Sequence, residues 1–201
     1  MSFLTDRLKN RFETDIVSHR GGRWYMDGRI AAILERLGYV ADCSATPGIS
    51  WNKAVGNRLY GTDYTTCQTG VCDLAGMYDI TPRKILEIPM TITNPPPVKF
   101  RFPQGIKDLK SMVDGKKIWL RPNGHNRYNM LWIVDNSNSE YLEFMIHSSE
   151  LMPGGSPTFK NSKDIAKMYG DIRALFESLA RHGLVGETLG EFARNRLLCK
   201  I

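Results

Sequence analysis

Apolar residues recur at helical spacing in several stretches of the chain. Near the start, Leu4, Leu8 and Phe12 follow one another every four residues, which places them on one face of a helix. The broadest apolar stripe comes late in the chain and ends before Gly183, a residue type that commonly closes helices. The spacing predicts helices over residues 2–12, 27–38, 105–114, 125–136 and 162–182.

Short apolar and β-branched runs lie between these helices. They predict strands over residues 14–19, 39–44, 84–92, 116–122 and 140–148, the last being the strongest. The opening order of helix, strand, helix, strand is typical of a parallel sheet with crossover helices. Residues 46–83 break this rhythm and predict a long excursion rather than a second domain. We therefore expect one α/β domain over residues 1–201.

Composition and charge limit the kinds of binding partner that we expect for this chain. The chain has 201 residues, 42% hydrophobic and 24% charged, with a net charge of +6. Its Lys and Arg residues are not clustered and no zinc-finger spacing occurs, so we expect no nucleic-acid partner. No apolar stretch is long enough to span a bilayer, and the first ten residues lack a signal-peptide core. Four cysteines do not make a disulfide scaffold, and we expect a cytoplasmic location.

Polar residues follow the predicted strands, and they are the first candidates for chemistry. Arg20 and Arg23 follow the first strand, Asp42 follows "YVA", and His147 follows "EYLEFMI". The carboxyl ends of parallel strands carry the active site in α/β sheets and barrels. A carboxylate beside an imidazole orients it and favours its protonated form, as a general acid requires. The alternative is that His147 is a core histidine and Asp42 caps a turn.

Other residues fit substrate binding as well as packing. Glu150, three residues after His147, can cap a loop or bind a substrate hydroxyl. Trp24, Tyr25 and Trp51 can stack on a sugar face, although core packing is the commoner fate of such rings. No two histidines are spaced as a metal-binding pair, and "GGR" lacks the spacing of a phosphate-binding loop.

Four stretches together resemble the polysaccharide deacetylase (NodB-homology) family. They are "SHRGGRWYMDGRIAAILERLGYVADCSATPGISW", "ILEIPMTI", "LEFMIHSSELMPGGSPTF" and "TLGEF", and they follow in order over nearly the whole chain. The resemblance implies a distorted (β/α) barrel and hydrolysis of N-acetyl groups on a cell-wall or surface polysaccharide. It also implies a divalent metal, usually zinc, that activates water.

The resemblance assigns roles to the same residues. Arg20 resembles the Arg that orients the base, with Arg23 beside it. Asp42 resembles the Asp that tunes a histidine, and His147 resembles that histidine, the general acid. Trp24, Trp51, Arg23 and Glu150 would then contact the sugar.

The family's Asp pair and metal-binding His pair should precede the "SHRGGRW" stretch. Only seventeen residues precede it here, and they contain neither motif. We therefore expect no metal ligands in this chain and an incomplete barrel without its first strands. We also expect impaired hydrolysis and self-association through an exposed barrel edge. The alternative is a non-catalytic module that binds a glycan or a protein.

Overall fold

The computed structural model describes residues 1–52, 61–78, 85–96 and 116–198. Two compact units are present, one formed by Met1–Met90 with Gly186–Ile201 and the other by Thr91–Val185. Each unit is described by itself below. The helix predicted over 105–114 lies outside the described residues, and the single-domain organisation stays a prediction.

The described elements mix helices with very short strands, as an α/β fold requires. In chain order they are α1 (Ser2–Phe12), β1 (Ser18–His19), α2 (Gly28–Arg36), β2 (Ala41–Asp42), β3 (Cys72–Asp73), α3 (Leu74–Tyr78), β4 (Leu86–Glu87), β5 (Ile92–Thr93), β6 (Ile118–Trp119), α4 (Arg127–Asn136), α5 (Ser162–Arg181) and α6 (Leu189–Leu198). Across the described ranges, no helix combines the length and the apolar character needed to cross a membrane.

The first unit is built on a four-stranded sheet with the order β1-β2-β4-β3. β1, β2 and β4 are parallel, and β3 pairs antiparallel with β4. The helix α2 joins β1 to β2, which confirms the predicted parallel pairing with a crossover helix. No barrel is formed by the described elements, so the (β/α) barrel is not confirmed. Self-association through a sheet edge stays a prediction.

The helix α2 forms where the sequence places both a cap and an apolar face. The Asp27 side chain accepts a hydrogen bond from the Ile30 backbone N–H at 2.9 Å and so caps the first turn. Ala31 and Leu34 are fully buried on the inner face of the helix. Gly38 follows with a φ of 83°, a left-handed conformation that stops the helix. The core neighbours of Ala31 and Leu34 are Met26, Tyr39, Leu74 and Ile85.

The helix α1 has the predicted bounds, but its apolar residues are not its buried ones. Leu4 and Phe12, which define the predicted stripe, are 60% and 65% exposed. The buried residue of the helix is Thr5, whose hydroxyl is 3.0 Å from the hydroxyl of Tyr39. The spacing of apolar residues therefore predicts the helix α1 but not the face of the helix that is buried.

The second unit combines a two-stranded sheet with two helices. β5 and β6 are antiparallel, and α4 packs against α5. The helices match those predicted over 125–136 and 162–182. The Asn161 side chain caps α5 by accepting a hydrogen bond from the Asp164 backbone N–H at 3.0 Å. The shared core is formed by Ile118, Leu120, Met130, Ile133, Val134 and Leu175.

Two strand predictions require correction. The segment predicted as one strand over 84–92 is divided between β4 and β5, which belong to different sheets. Pro89 lies between them, and a proline has no N–H to continue a ladder. The segment over 140–148 contains no strand, although Glu143 and Met145 are buried in alternation. The Glu143 N–H donates to the Thr91 side-chain hydroxyl at 2.7 Å rather than to a strand carbonyl.

In the glycine pair after β1, the first glycine has no space for a side chain. Gly21 is buried, and its N–H donates to the Ser44 hydroxyl at 2.7 Å. A Cβ atom on Gly21 would overlap the carbonyl oxygen of Tyr25, whereas Gly22 has open space around it. The chain then turns through Arg23 and Trp24, which both have positive φ.

Replacing each glycine by alanine tests this asymmetry. We expect Gly21→Ala to lower the free energy of unfolding by about 1–3 kcal/mol, because the backbone of the turn must shift. We expect Gly22→Ala to change it by less than about 1 kcal/mol. Urea denaturation of both variants beside the unmodified chain gives the comparison. Equal losses in the two variants would contradict this account of the turn.

Candidate functional site

Three polar residues stand side by side at the carboxyl ends of β1, β2 and β4. The strand register aligns His19 with Asp42 and Asp42 with Glu87. Because the three strands are parallel, all three residues lie at the same edge of the sheet, which is where α/β folds place ligands. We call His19, Asp42 and Glu87 the acid row.

Asp42 is the centre of the acid row. Its side chain is fully buried, and the Oδ1 atom lies 2.6 Å from Nδ1 of His19. The Ser44 backbone N–H donates to Oδ2 at 2.9 Å, and the Ser44 hydroxyl donates to Oδ1 at 3.1 Å. The same hydroxyl accepts the Gly21 N–H described above, so the glycine turn, Ser44 and Asp42 form one network.

The contact with Asp42 orients the His19 ring. With Nδ1 engaged by a carboxylate, Nε2 is the ring nitrogen that remains for exchange with a substrate or water. The His19 side chain is 19% exposed, so part of the imidazole reaches solvent. This is the arrangement of a carboxylate-oriented imidazole, which transfers protons in general acid–base catalysis.

Glu87 is the least solvated member of the row. It is 1% exposed, and its Oε1 atom accepts a hydrogen bond from the Ala45 N–H at 2.8 Å. Burial raises the pKa of Glu87 well above its ordinary value, and the neighbouring charge of Asp42 raises it further. The Glu87 carboxyl therefore favours its neutral form.

The other candidates in the first unit surround the glycine turn. The Arg20 guanidinium lies over the Trp24 ring, 5.4 Å from the ring centroid, in a cation–π contact. Arg23 is exposed. Trp51 is half-buried, and its indole N–H donates to the Thr46 hydroxyl at 2.8 Å. The sugar-binding roles expected for Arg23, Trp24 and Trp51 stay predictions.

The remaining candidates lie in the second unit. His147 is exposed, and its backbone N–H donates to Oε2 of Glu150 at 2.9 Å. Glu150 is 3% exposed and pairs with the Arg121 guanidinium at 2.7 Å. Glu150 thus caps the short turn Ser148–Leu151, one of the two roles that its spacing suggested. The predicted pairing of Asp42 with His147 stays a prediction.

Sequence reasoning missed Glu87 and gave His19 no catalytic role. A usable signal was present, because three short runs end on an ionisable residue: "VSH", "VAD" and "ILE". Aligning those ends as neighbouring parallel strands would have placed His19, Asp42 and Glu87 in one row.

The carboxyl groups of the acid row are already engaged within the protein. Both oxygens of Asp42 accept hydrogen bonds from protein donors, and Glu87 favours the neutral form, which is a poor ligand. Within the ranges that the structure describes, no three His, Cys, Asp or Glu side chains group as metal ligands. The zinc implied by the resemblance stays a prediction.

A cleft of about 540 Å³ opens in the first unit. Burial raises the pKa of Cys67, one of its lining residues, to about 12, so this thiol is not a thiolate nucleophile at neutral pH. Burial also raises the pKa of Tyr78 well above its ordinary value. The cleft is lined by Thr62, Asp63, Tyr64, Thr66, Cys67, Gln68, Cys72, Asp73, Gly76, Met77 and Tyr78.

Comparison with known proteins gives no match: no family model, curated protein or solved structure is similar enough to this chain to identify it.

The Glu87→Gln variant tests whether burial raises the pKa of Glu87. Above the ordinary glutamate pKa of about 4.3, the unfolded chain releases a proton that the folded chain retains. The free energy of unfolding therefore falls as pH rises, by about 1.4 kcal/mol per unit until the folded-state pKa is reached. Glutamine has no such proton, so we expect Glu87→Gln to gain stability relative to the unmodified chain as the pH rises above about 4.3.

Urea denaturation across this pH range gives the measurement, with Glu177→Gln as the matched control on an exposed helix position. The control should follow the unmodified chain at every pH. A constant difference between Glu87→Gln and the unmodified chain at all pH values would contradict the raised pKa.

Proposed function

We propose that this chain is a polysaccharide deacetylase-like protein, and that its acid row serves the hydrolysis of N-acetyl groups on a cell-wall or surface polysaccharide. The observation that carries the proposal is the 2.6 Å hydrogen bond between His19 Nδ1 and Asp42 Oδ1 at the carboxyl edge of a parallel sheet. The family-like stretches quoted above contain both residues.

The chemistry of amide hydrolysis accounts for this pairing. The leaving amine must be protonated as the carbon–nitrogen bond breaks, and a positioned imidazole is the commonest donor of that proton. Asp42 holds the ring through Nδ1 and stabilises its charged form, which leaves Nε2 to face a substrate. The resemblance gives the donor role to His147 instead, so His19 and His147 are both candidate proton donors.

The resemblance also implies zinc, to which we assign no ligands in this chain. Because both oxygens of Asp42 accept hydrogen bonds from Ser44 and Glu87 favours its neutral form, we propose that hydrolysis by this chain alone is impaired. The proposed impairment is inferred from the hydrogen bonding of Asp42 and the neutral form of Glu87, and not from the length of the chain.

A binding module is the second candidate. The Arg20–Trp24 stack and the half-buried Trp51 offer aromatic and cationic groups at the glycine turn. Such groups recognise sugars and acidic groups without any reaction. This candidate predicts that the chain binds N-acetylated oligosaccharides and releases no acetate from them.

Acetate release from N-acetylated chito-oligosaccharides, with zinc added, tests the proposal. We expect Asp42→Asn to lower the rate by about 100-fold or more, because asparagine cannot stabilise a charged imidazole. The control Asp15→Asn changes an exposed carboxylate of the same unit and should keep the full rate.

The variants His19→Ala and His147→Ala separate the two candidate donors, since the variant that loses the rate identifies the donor. Full activity in Asp42→Asn would contradict the role given to Asp42. Saturable binding with no acetate release by the unmodified chain would favour the binding module.

A further inference from the structure

We propose that Glu87 is a positioning residue: it carries a proton, donates a hydrogen bond to Asp42, and so holds the carboxylate that orients His19. The inference rests on the proposed function, since it concerns the same acid row. Its tests below read the protonation and geometry of the row directly and do not require any activity.

Hydrogen-bond chemistry gives the first argument. The strand register sets Glu87 directly beside Asp42, and both side chains are buried. Two ionised carboxylates have acceptors only, so a hydrogen bond between them requires one proton. Asp42 already accepts from His19 and twice from Ser44, which is the pattern of the ionised partner. The proton therefore belongs to Glu87.

Charge gives the second argument. Asp42 and Glu87 are 0% and 1% exposed. If both carboxyls were ionised, two adjacent negative charges would repel each other where water does not solvate them. A neutral Glu87 removes this repulsion.

The titratable groups around Glu87 act in the same direction. The negative charge of Asp42 raises the pKa of Glu87, and Cys72 acts in the same direction. The pKa values of Tyr64 and Tyr78 are also raised, so these phenols stay neutral and do not offset that effect.

Substitution separates the donor role from simple packing. In Glu87→Gln the amide N–H₂ replaces the acid O–H as donor to Asp42, and the amide oxygen still accepts the Ala45 N–H. In Glu87→Met the volume is similar, but the donor and the acceptor are both lost. We expect glutamine to rescue the geometry of the row and methionine to fail.

The first experiment measures the protonation of Glu87. Carbon-13 NMR of the full chain labelled at glutamate carboxyls should show one signal of a protonated acid at neutral pH, and Glu87→Gln should remove that signal. Exposed Glu177 gives the reference for an ionised carboxyl. A Glu87 carboxyl that is ionised at neutral pH would overturn the proposal.

The second experiment measures the positioning effect. The Nδ1 proton of His19 in its hydrogen bond to Asp42 gives a downfield proton resonance. We expect this resonance in the unmodified chain and in Glu87→Gln, and its loss or broadening in Glu87→Met. An unchanged resonance in Glu87→Met, or its loss in Glu87→Gln, would overturn the proposal.

If Glu87→Met does not fold, the proposal is still tested by the carboxyl signal of Glu87 and by the His19 Nδ1 proton resonance in Glu87→Gln. The two proposals also fail separately. A chain without acetate release, but with a protonated Glu87 and a rescued His19 resonance, would contradict the proposed function and leave the role of Glu87 intact.

Discussion

The fold of the first unit depends on hydrogen bonds to the carboxylate of Asp42, which is buried away from water. Asp42 is fully buried, and an isolated charge in that place would be very unfavourable. Its partners come from two neighbouring segments: His19 at the end of β1, and Ser44 two residues after Asp42 itself. These contacts tie the strand register to the conformation of the loops that follow the strands. The fold and the candidate site are therefore held by the same hydrogen bonds.

The glycine turn belongs to this constraint. Gly21 donates to Ser44, and the close approach of Tyr25 to Gly21 excludes a side chain there. Because the turn is this tight, Arg20 and Trp24 are brought together at the edge of the sheet where the acid row lies. Three ionisable residues of "SHRGGRWYMD" therefore have structural contacts: His19 with Asp42, Arg20 with Trp24, and Asp27 with the Ile30 N–H.

Periodicity predicted the elements whose stability is local or rests on one apolar face. The bounds of α2 and α5 follow from spacing, a side-chain cap and a glycine stop, whereas those of α1 and α4 follow from spacing alone. Strands were harder, because a strand exists only with a partner. Residues 140–148 show the alternation of a strand but have no ladder, and Pro89 divides what looked like a single strand.

The candidate site was predictable only in part, for the same reason. Asp42 and the residues of the glycine turn were identified from strand ends and from the resemblance. Glu87 was missed because its significance depends on which strand lies beside β2. Register across β1, β2 and β4 brings His19 to one side of Asp42 and Glu87 to the other.

The central claim is that Asp42 orients the imidazole of His19. Nitrogen-15 NMR of the histidine rings in the full chain tests it most directly, because it reports which ring nitrogen carries the proton. We expect Nδ1 of neutral His19 to carry the proton and Asp42→Asn to abolish this preference. A neutral His19 protonated at Nε2, unaffected by Asp42→Asn, would contradict the account.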